Sequence, residues 1–247
     1  MRKKLVYSFL LFIFLSSVYT WSRWRQGKST LIVKKVAAEE VMPWFDCPCC
    51  DKDIASCDCP LAQQRRQYLK EIAAGQKQPL NDLLFPYIRK YGLASLRNPE
   101  QREKIKQELR RRAPAERPEL VLSPPQIDLG LVSVAEGEVS RDFQLQNRGQ
   151  KPLRIEGLTT SCGCTTATII WQGEEGPRFG MPGHGLNAKN KGWSVEIPPQ
   201  GKAILRVYYN PRVHPRFRGD AVRTITVISN DPIEGQKEVQ ILLQQVD

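Results

Sequence analysis

At 247 residues there is room for one large or two modest domains, and the change in sequence texture along the chain divides it into two folded modules. The net charge of +11 is concentrated near the N-terminus: residues 1–40 carry eight Lys and Arg against two acids, residues 41–117 carry fifteen against ten, and the remainder is balanced at fourteen of each. That gradient suits a membrane surface or an acidic protein partner and argues against a nucleic-acid groove, the plain alternative being a solvated basic helix. The sequence contains no P-loop, no dinucleotide fingerprint and no Ser-His-Asp elbow, which excludes those enzyme classes.

The first element follows Arg2, Lys3 and Lys4. It is an uncharged run from Leu5 to Trp21, extended to Trp24 with one charge near its end. As a helix it reaches roughly 30 Å, about one hydrocarbon core. Trp21 and Trp24 share a helix face suited to an interface, and no A-x-A-like cleavage site follows the run. Residues 1–28 are therefore expected to be an uncleaved transmembrane signal anchor. Arg23, Arg25, Lys28, Lys34 and Lys35 favour a cytoplasmic bulk by the positive-inside rule. The short basic start and the cysteine-rich stretch behind the anchor favour the extracytoplasmic side, where the bulk of the chain is expected.

Residues 29–96 form a cysteine-rich helical module. From Leu31 to Glu40 the chain reads as weakly helical, and Pro43 breaks it. Five of the seven cysteines then crowd into Cys47-Pro48-Cys49-Cys50 and Cys57-Asp58-Cys59, ahead of Pro60, which can open a helix because its missing N–H would be unsatisfied there anyway. N–H groups at that helix start stabilise a thiolate, the reactive and metal-binding form of the side chain. The helix from Pro60 to about Ala74 presents Leu61, Tyr68, Leu69 and Ile72 on one face and Arg65, Arg66 and Lys70 on the other, with Gly75 as its stop. Leu80, Leu83, Leu84, Ile88 and Tyr91 define a second helix between Pro79 and Gly92, with Pro86 expected to kink it.

The order Cys47-Pro48-Cys49-Cys50, Ile54-Ala55-Ser56, Cys59-Pro60-Leu61-Ala62, Arg66, Ile72, Gly75 and Tyr91-Gly92 resembles the CcmH/NrfF/CycL family of cytochrome c maturation proteins over residues 45–96. The resemblance implies a membrane-anchored three-helix module whose redox pair would be Cys47 and Cys50, acting on apocytochrome thiols. Cys49, Cys57 and Cys59 are additional to that pair. Read from the residues alone, three chemistries stand side by side: a dithiol that shuttles electrons, a Zn or Cu(I) site drawn from Cys47, Cys49, Cys50, Cys57 and Cys59, and structural disulfides that staple a small core.

Residues 97–117 carry alternating charges with only Ile105 and Leu109 as an apolar pair, and read as a charged, solvated spacer helix and linker. Beyond Pro118 the period changes to two, in Ile127/Leu129/Leu131, Phe143/Leu145/Asn147, Leu153/Ile155, Ile204/Arg206/Tyr208, Ile225/Val227/Ser229 and Val239/Ile241/Leu243. Six or seven strands in residues 118–247 indicate an antiparallel sandwich. Ile127-Asp128-Leu129-Gly130, Phe143 to Asn147, Pro152 to Ile155, Ser161-Cys162-Gly163-Cys164-Thr165 and Ser229-Asn230-Asp231-Pro232 resemble a bacterial immunoglobulin-like family of unknown function with an SCGCT motif. That family is similar in fold to the ASH and major-sperm-protein domains, which implies partner binding and not catalysis. In an extended strand Cys162 and Cys164 face one side about 6.5 Å apart, so a mutual disulfide needs a turn at Gly163, and a chelate with Met181 and His184 would suit Cu(I).

The fold class is thus a multi-part α + β chain: a transmembrane helix, a small cysteine-rich helical module, a charged helical linker and a C-terminal all-β immunoglobulin-like sandwich. The expected function is that of a single-pass extracytoplasmic protein whose cysteine loop handles thiols or metal near the membrane, linked to cytochrome c maturation. Its sandwich would dock an apocytochrome, an assembly factor or a membrane complex, and nucleic acid is not a partner. The alternative is a non-catalytic accessory subunit of a membrane respiratory or photosynthetic complex, its cysteines serving as cross-links.

Overall fold

The computed structural model describes residues 34–247 apart from Cys49, Asp51 and His184. The segment read as a membrane anchor lies outside those residues, and no helix among the described ones is long and apolar enough to cross a membrane.

The first part is helical. Strand β1 (Lys35–Val36) pairs antiparallel with β2 (Gln78–Pro79), and only Ala38–Val41 (α1) is α-helical before a 3-10 turn at Met42–Trp44. The helix expected up to Glu40 is cut short because the Val36 side chain is buried and its backbone is engaged by β2. Helix α2 (Pro60–Ala73) has Pro60 in its first turn and ends where Ala74 and Gly75 take left-handed φ values of 49° and 73°. Helix α3 (Leu80–Tyr91) buries Leu80, Leu83, Leu84, Tyr87 and Ile88, with Pro86 carried inside it. Tyr87 stacks on Phe45 at a centroid distance of 3.8 Å, so the segment before the cysteine loop is packed onto the helix pair. Helix α4 (Pro99–Arg112), expected as a solvated spacer, buries Ile105 in this same core with Leu109 packed against it. Its apolar pair is short but sufficient to dock it.

The second part is a two-sheet β-sandwich. Its strands are β3 (Leu120–Ser123), β4 (Gln126–Ser133), β5 (Val139–Asn147), β6 (Leu153–Thr160), β7 (Thr165–Trp171), β8 (Glu174–Glu175), β9 (Val195–Ile197), β10 (Lys202–Tyr209), β11 (Gly219–Ser229) and β12 (Gln236–Val246), with a short helix α5 (Leu186–Lys189) before β9. They form two five-stranded sheets, in the orders β3-β5-β10-β7-β8 and β4-β12-β11-β6-β9. The sheets exceed the six or seven strands expected and are not wholly antiparallel, since β4 runs parallel to β12. Phe143, Leu145, Leu205 and Val207 face Ile155, Ile225, Val227, Val239, Ile241 and Leu243 across the core. Each such side chain contributes about 1.5–3 kcal/mol on burial.

Two strands depart from the expected faces. In β4 the register against β12 shifts after Asp128, and Gly130 adopts φ +67°, so Val132 turns inward and Leu131 is left 68% exposed. In β10 the buried side chains are Ala203, Leu205, Val207, Tyr208 and Tyr209, whereas Ile204 is 37% exposed and Arg206 pairs outward with Asp142 at 2.7 Å.

Buried polar side chains tie the ends of the sandwich. Asn147, fully buried, accepts from Gly149 N at 2.9 Å and donates to the carbonyls of Lys151 (2.8 Å) and Ile197 (3.0 Å). Asp231 accepts from Leu120 N at 2.9 Å and Ile233 N at 2.8 Å, which makes the Ser229-Asn230-Asp231-Pro232 motif the lock of the β11–β12 turn. That turn meets the helical part: Lys106 Nζ lies 2.9 Å from Glu234 Oε2, the Gln236 amide donates to the Lys90 carbonyl, and a cleft of about 370 Å³ between them is lined by Phe85, Ile88, Leu109, Pro232 and Ile233.

The tightest backbone approach is at Gly149, where a Cβ would sit 2.1 Å from the Arg117 carbonyl oxygen and 2.6 Å from Glu119 N. Gly149→Ala is expected to destabilise the protein by about 3 kcal/mol, read as a lowered urea midpoint at unchanged slope. An unchanged midpoint would contradict the packing described for this turn.

Candidate functional site

The cysteine loop has almost no regular structure of its own and is fixed by its ends. Asp46 bridges Asp53 and Phe45 bridges Leu96, while Cys47 N donates to the Lys52 carbonyl at 2.9 Å and Ile54 N to the Phe45 carbonyl at 2.9 Å. Asp53 Oδ1 then accepts from Ala55 N and Ser56 N at 2.8 and 2.9 Å, a turn that delivers Cys57. Cys59 is the N-cap of α2, its sulfur accepting from Ala62 N at 3.3 Å.

These constraints bring four sulfurs together. Cys47 Sγ lies 3.3 Å from Cys57 Sγ and 3.5 Å from Cys59 Sγ, and Cys50 Sγ lies 3.5 Å from Cys57 Sγ. Cys47 and Cys57 are 5% and 6% exposed, Cys59 is half-buried and Cys50 is open to solvent. Cys49 lies outside the described residues. The Lys52 backbone N–H, with help from the Cys57 thiol, holds the Cys50 thiol below its usual range.

Arg65 and Arg66, which read in sequence as a solvent face of α2, turn back onto this loop. Arg65 donates to the Asp46 carbonyl at 3.0 Å, and Arg66 donates to the Cys57 carbonyl at 2.6 Å and to the Ile54 carbonyl. Two guanidinium groups and a helix N-terminus therefore hold the backbone around the sulfurs. The pair Cys47 and Cys50 singled out by resemblance is present, but both members also share Cys57 as a sulfur neighbour.

A second cluster lies in the sandwich. Cys162 to Thr165 is a turn and not the extended strand expected, because Thr165 N donates to the Cys162 carbonyl at 3.1 Å. The turn brings the two sulfurs to 2.6 Å, with Cys162 half-buried and Cys164 only 2% exposed. His214 Nε2 lies 3.4 Å from Cys162 Sγ, and Arg223 Nε donates to Cys164 Sγ at 3.2 Å. The Cys164 thiol and backbone N–H, then His214, draw the Cys162 thiol down, and the Cys162 sulfur and burial push the Cys164 thiol up.

Met181 does not hydrogen-bond to this pair among the described residues, and His184 lies outside them. His214 had no local sequence signature. It is carried to the sulfurs by the loop after β10, whose carbonyls at Pro211, His214 and Phe217 accept from the buried Gln245 amide at 3.4, 3.0 and 3.0 Å.

Residues 120–176 match a family model described as a protein of unknown function, DUF1573. The sequence matches no curated protein. Among solved structures, a protein of unknown function from Porphyromonas gingivalis W83 is similar at 20% identity and TM-score 0.40, over 53% of this chain and 49% of that one. The chain thus spans about half the length of that relative. The ASH/PapD-like domain 7 of human CEP192 is similar at 15% identity and TM-score 0.34, over 55% of this chain and 92% of that one. The Pseudomonas aeruginosa CupB2 chaperone is similar at 10% identity and TM-score 0.26, over 51% and 55% of the two chains.

If Arg66 is what closes the cysteine loop, Arg66→Ala leaves the Ile54 and Cys57 carbonyls without their charged donor, a loss of about 1.5–3 kcal/mol. Maleimide labelling of Cys57, counted by mass on the tryptic peptide 53–65, is expected to accelerate at least tenfold. Unchanged labelling would assign Arg66 no role in the loop.

Proposed function

We propose that the protein is a membrane-anchored, extracytoplasmic adaptor in which a four-thiolate metal site organises the cysteine loop and the immunoglobulin-like domain docks a protein partner. The observation that carries the metal reading is the convergence of Cys47, Cys50, Cys57 and Cys59. A tetrahedral ion with sulfur ligands at about 2.3 Å sets neighbouring sulfurs about 3.8 Å apart, close to the spacings found here. Cys47, Cys57 and Cys59 sulfurs lie within 4.8 Å of one another, and Cys50 beside Cys57 at 3.5 Å is the fourth ligand in reach, a set that suits closed tetrahedral Zn, with Cu(I) as the other soft-ligand choice. The exposed position of Cys50 leaves one ligand accessible to an exchanging partner. A bound metal would also keep these thiols from random oxidation in the compartment that the basic N-terminus and apolar run favour.

Partner binding is supported by the outer face of the β4-β12-β11 sheet, where Leu131 and Val222 are 68% and 52% exposed. A second reading keeps Cys47 and Cys50 as a thiol-exchange pair in cytochrome c maturation. The exposure of Cys50 beside buried Cys47, together with the motif order from Cys47 to Gly92, favours it.

The two readings part in one experiment on the full chain. Metal analysis of the purified protein is expected to give one Zn or Cu per chain, with Cys47, Cys50, Cys57 and Cys59 protected from maleimide until a chelator is added, as located by fragmentation of tryptic peptides 36–52 and 53–65, and Cys57→Ser is expected to lose the metal. Freely reactive thiols without metal, together with a Cys47→Ser variant that traps a peptide carrying a C-x-x-C-H haem-attachment sequence, would favour the exchange reading. A fully cross-linked, inert loop would contradict both.

A further inference from the structure

The pair in the sandwich is built differently from the loop cluster. Two ligands of one tetrahedral ion stand about 3.8 Å apart, whereas Cys162 and Cys164 sulfurs stand 2.6 Å apart, nearer to the 2.03–2.05 Å of a covalent disulfide. The sulfurs are one residue apart across Gly163 on a closed turn, so a bond between them needs no movement of the sheets. Their surroundings are also unequal. Cys162 faces outward, bordered by the exposed His214, and Cys164 lies beneath it, held by Arg223 and the Thr165 hydroxyl at 3.7 Å. A reagent from solvent reaches Cys162 first.

We propose that Cys162 and Cys164 form a redox-active dithiol that exchanges disulfides with a protein client, Cys162 being the attacking sulfur and Cys164 the resolving one. The Cys162 thiolate attacks one sulfur of the client disulfide. A Cys162–client bond forms, the client S–S bond breaks, and the departing client sulfur leaves as a thiolate that takes a proton from water. Cys164 then gives its proton to solvent and attacks Cys162 Sγ. The Cys162–Cys164 bond forms, the second client sulfur is released and protonated, and two electrons have passed from the pair to the client. Run in reverse, the same steps hand the disulfide to a client dithiol.

His214 and Arg223 serve this scheme as positioning residues. The His214 ring nitrogen lies 3.4 Å from Cys162 Sγ and the Arg223 guanidinium donates to Cys164 Sγ at 3.2 Å, so each sulfur has its own polar partner. The depressed Cys162 and elevated Cys164 thiols agree with that division of labour. The inference stands apart from the metal reading of the loop cluster, because it concerns different sulfurs.

The tryptic peptide 155–178 contains Cys162 and Cys164 and no other cysteine, so the pair can be followed within the intact full-length protein. The protein is equilibrated in reduced and oxidised glutathione, quenched in acid and alkylated. The expected result is one transition between a doubly alkylated peptide and an unalkylated peptide lighter by two hydrogens. Cys164→Ser is expected to accumulate a glutathione adduct on Cys162 at least tenfold above the adduct that Cys162→Ser accumulates on Cys164. In His214→Ala, iodoacetamide labelling of Cys162 at pH 6 is expected to slow severalfold while the circular dichroism is unchanged. The proposal is overturned if the peptide never loses two hydrogens at any glutathione ratio, if the two serine variants form adducts equally, or if the pair resists alkylation until a metal chelator is added.

Discussion

Everything proposed for the N-terminal part depends on how an irregular loop is held against the start of α2. A loop rich in cysteine cannot bury enough apolar surface to order itself, and its carbonyls need donors. Here Arg65 and Arg66 supply them at Asp46, Ile54 and Cys57, and Cys59 completes the helix by capping it. The same residues that close the loop set the charge around it.

The helical part is not an independent bead on a spacer. Helix α4 contributes Ile105 to its core, and Lys106 reaches Glu234 on the β11–β12 turn. Gly92 sits directly against Gln236, where a Cβ would approach its Cβ to 3.2 Å. The sandwich therefore carries the cysteine loop on a defined mount, with Asp231 fixing the turn from within. A partner bound to the sandwich would find the loop at a set position, which is what an adaptor requires.

Much of this was legible in the residues. Pro60, Gly75 and Gly92 marked helix ends, the three-and-four spacing of Leu80 to Ile88 marked the buried face, and the period of two marked the sandwich. What escaped the sequence was whatever depended on long-range geometry. Gly130 reverses the face of β4 through a bulge that spacing alone cannot reveal, and β10 is apolar enough on both sides that Ile204 resembled a core position. Arg65 and Arg66 looked solvated because a long side chain can fold back toward its own helix start. His214 and Arg223 meet Cys162 and Cys164 only after the sheets assemble, at sequence separations of 52 and 59 residues. Cysteine crowding, by contrast, is a local signal, visible in the spacing from Cys47 to Cys59 alone.

The central claim is that four thiolates from Cys47, Cys50, Cys57 and Cys59 enclose one metal ion. X-ray absorption at the edge of the metal that purifies with the full-length protein tests it most directly, because the first coordination shell gives both the kind and the number of ligands. The account predicts a single shell of four sulfurs at about 2.3 Å. A shell dominated by nitrogen or oxygen, or by two sulfurs alone, would contradict it.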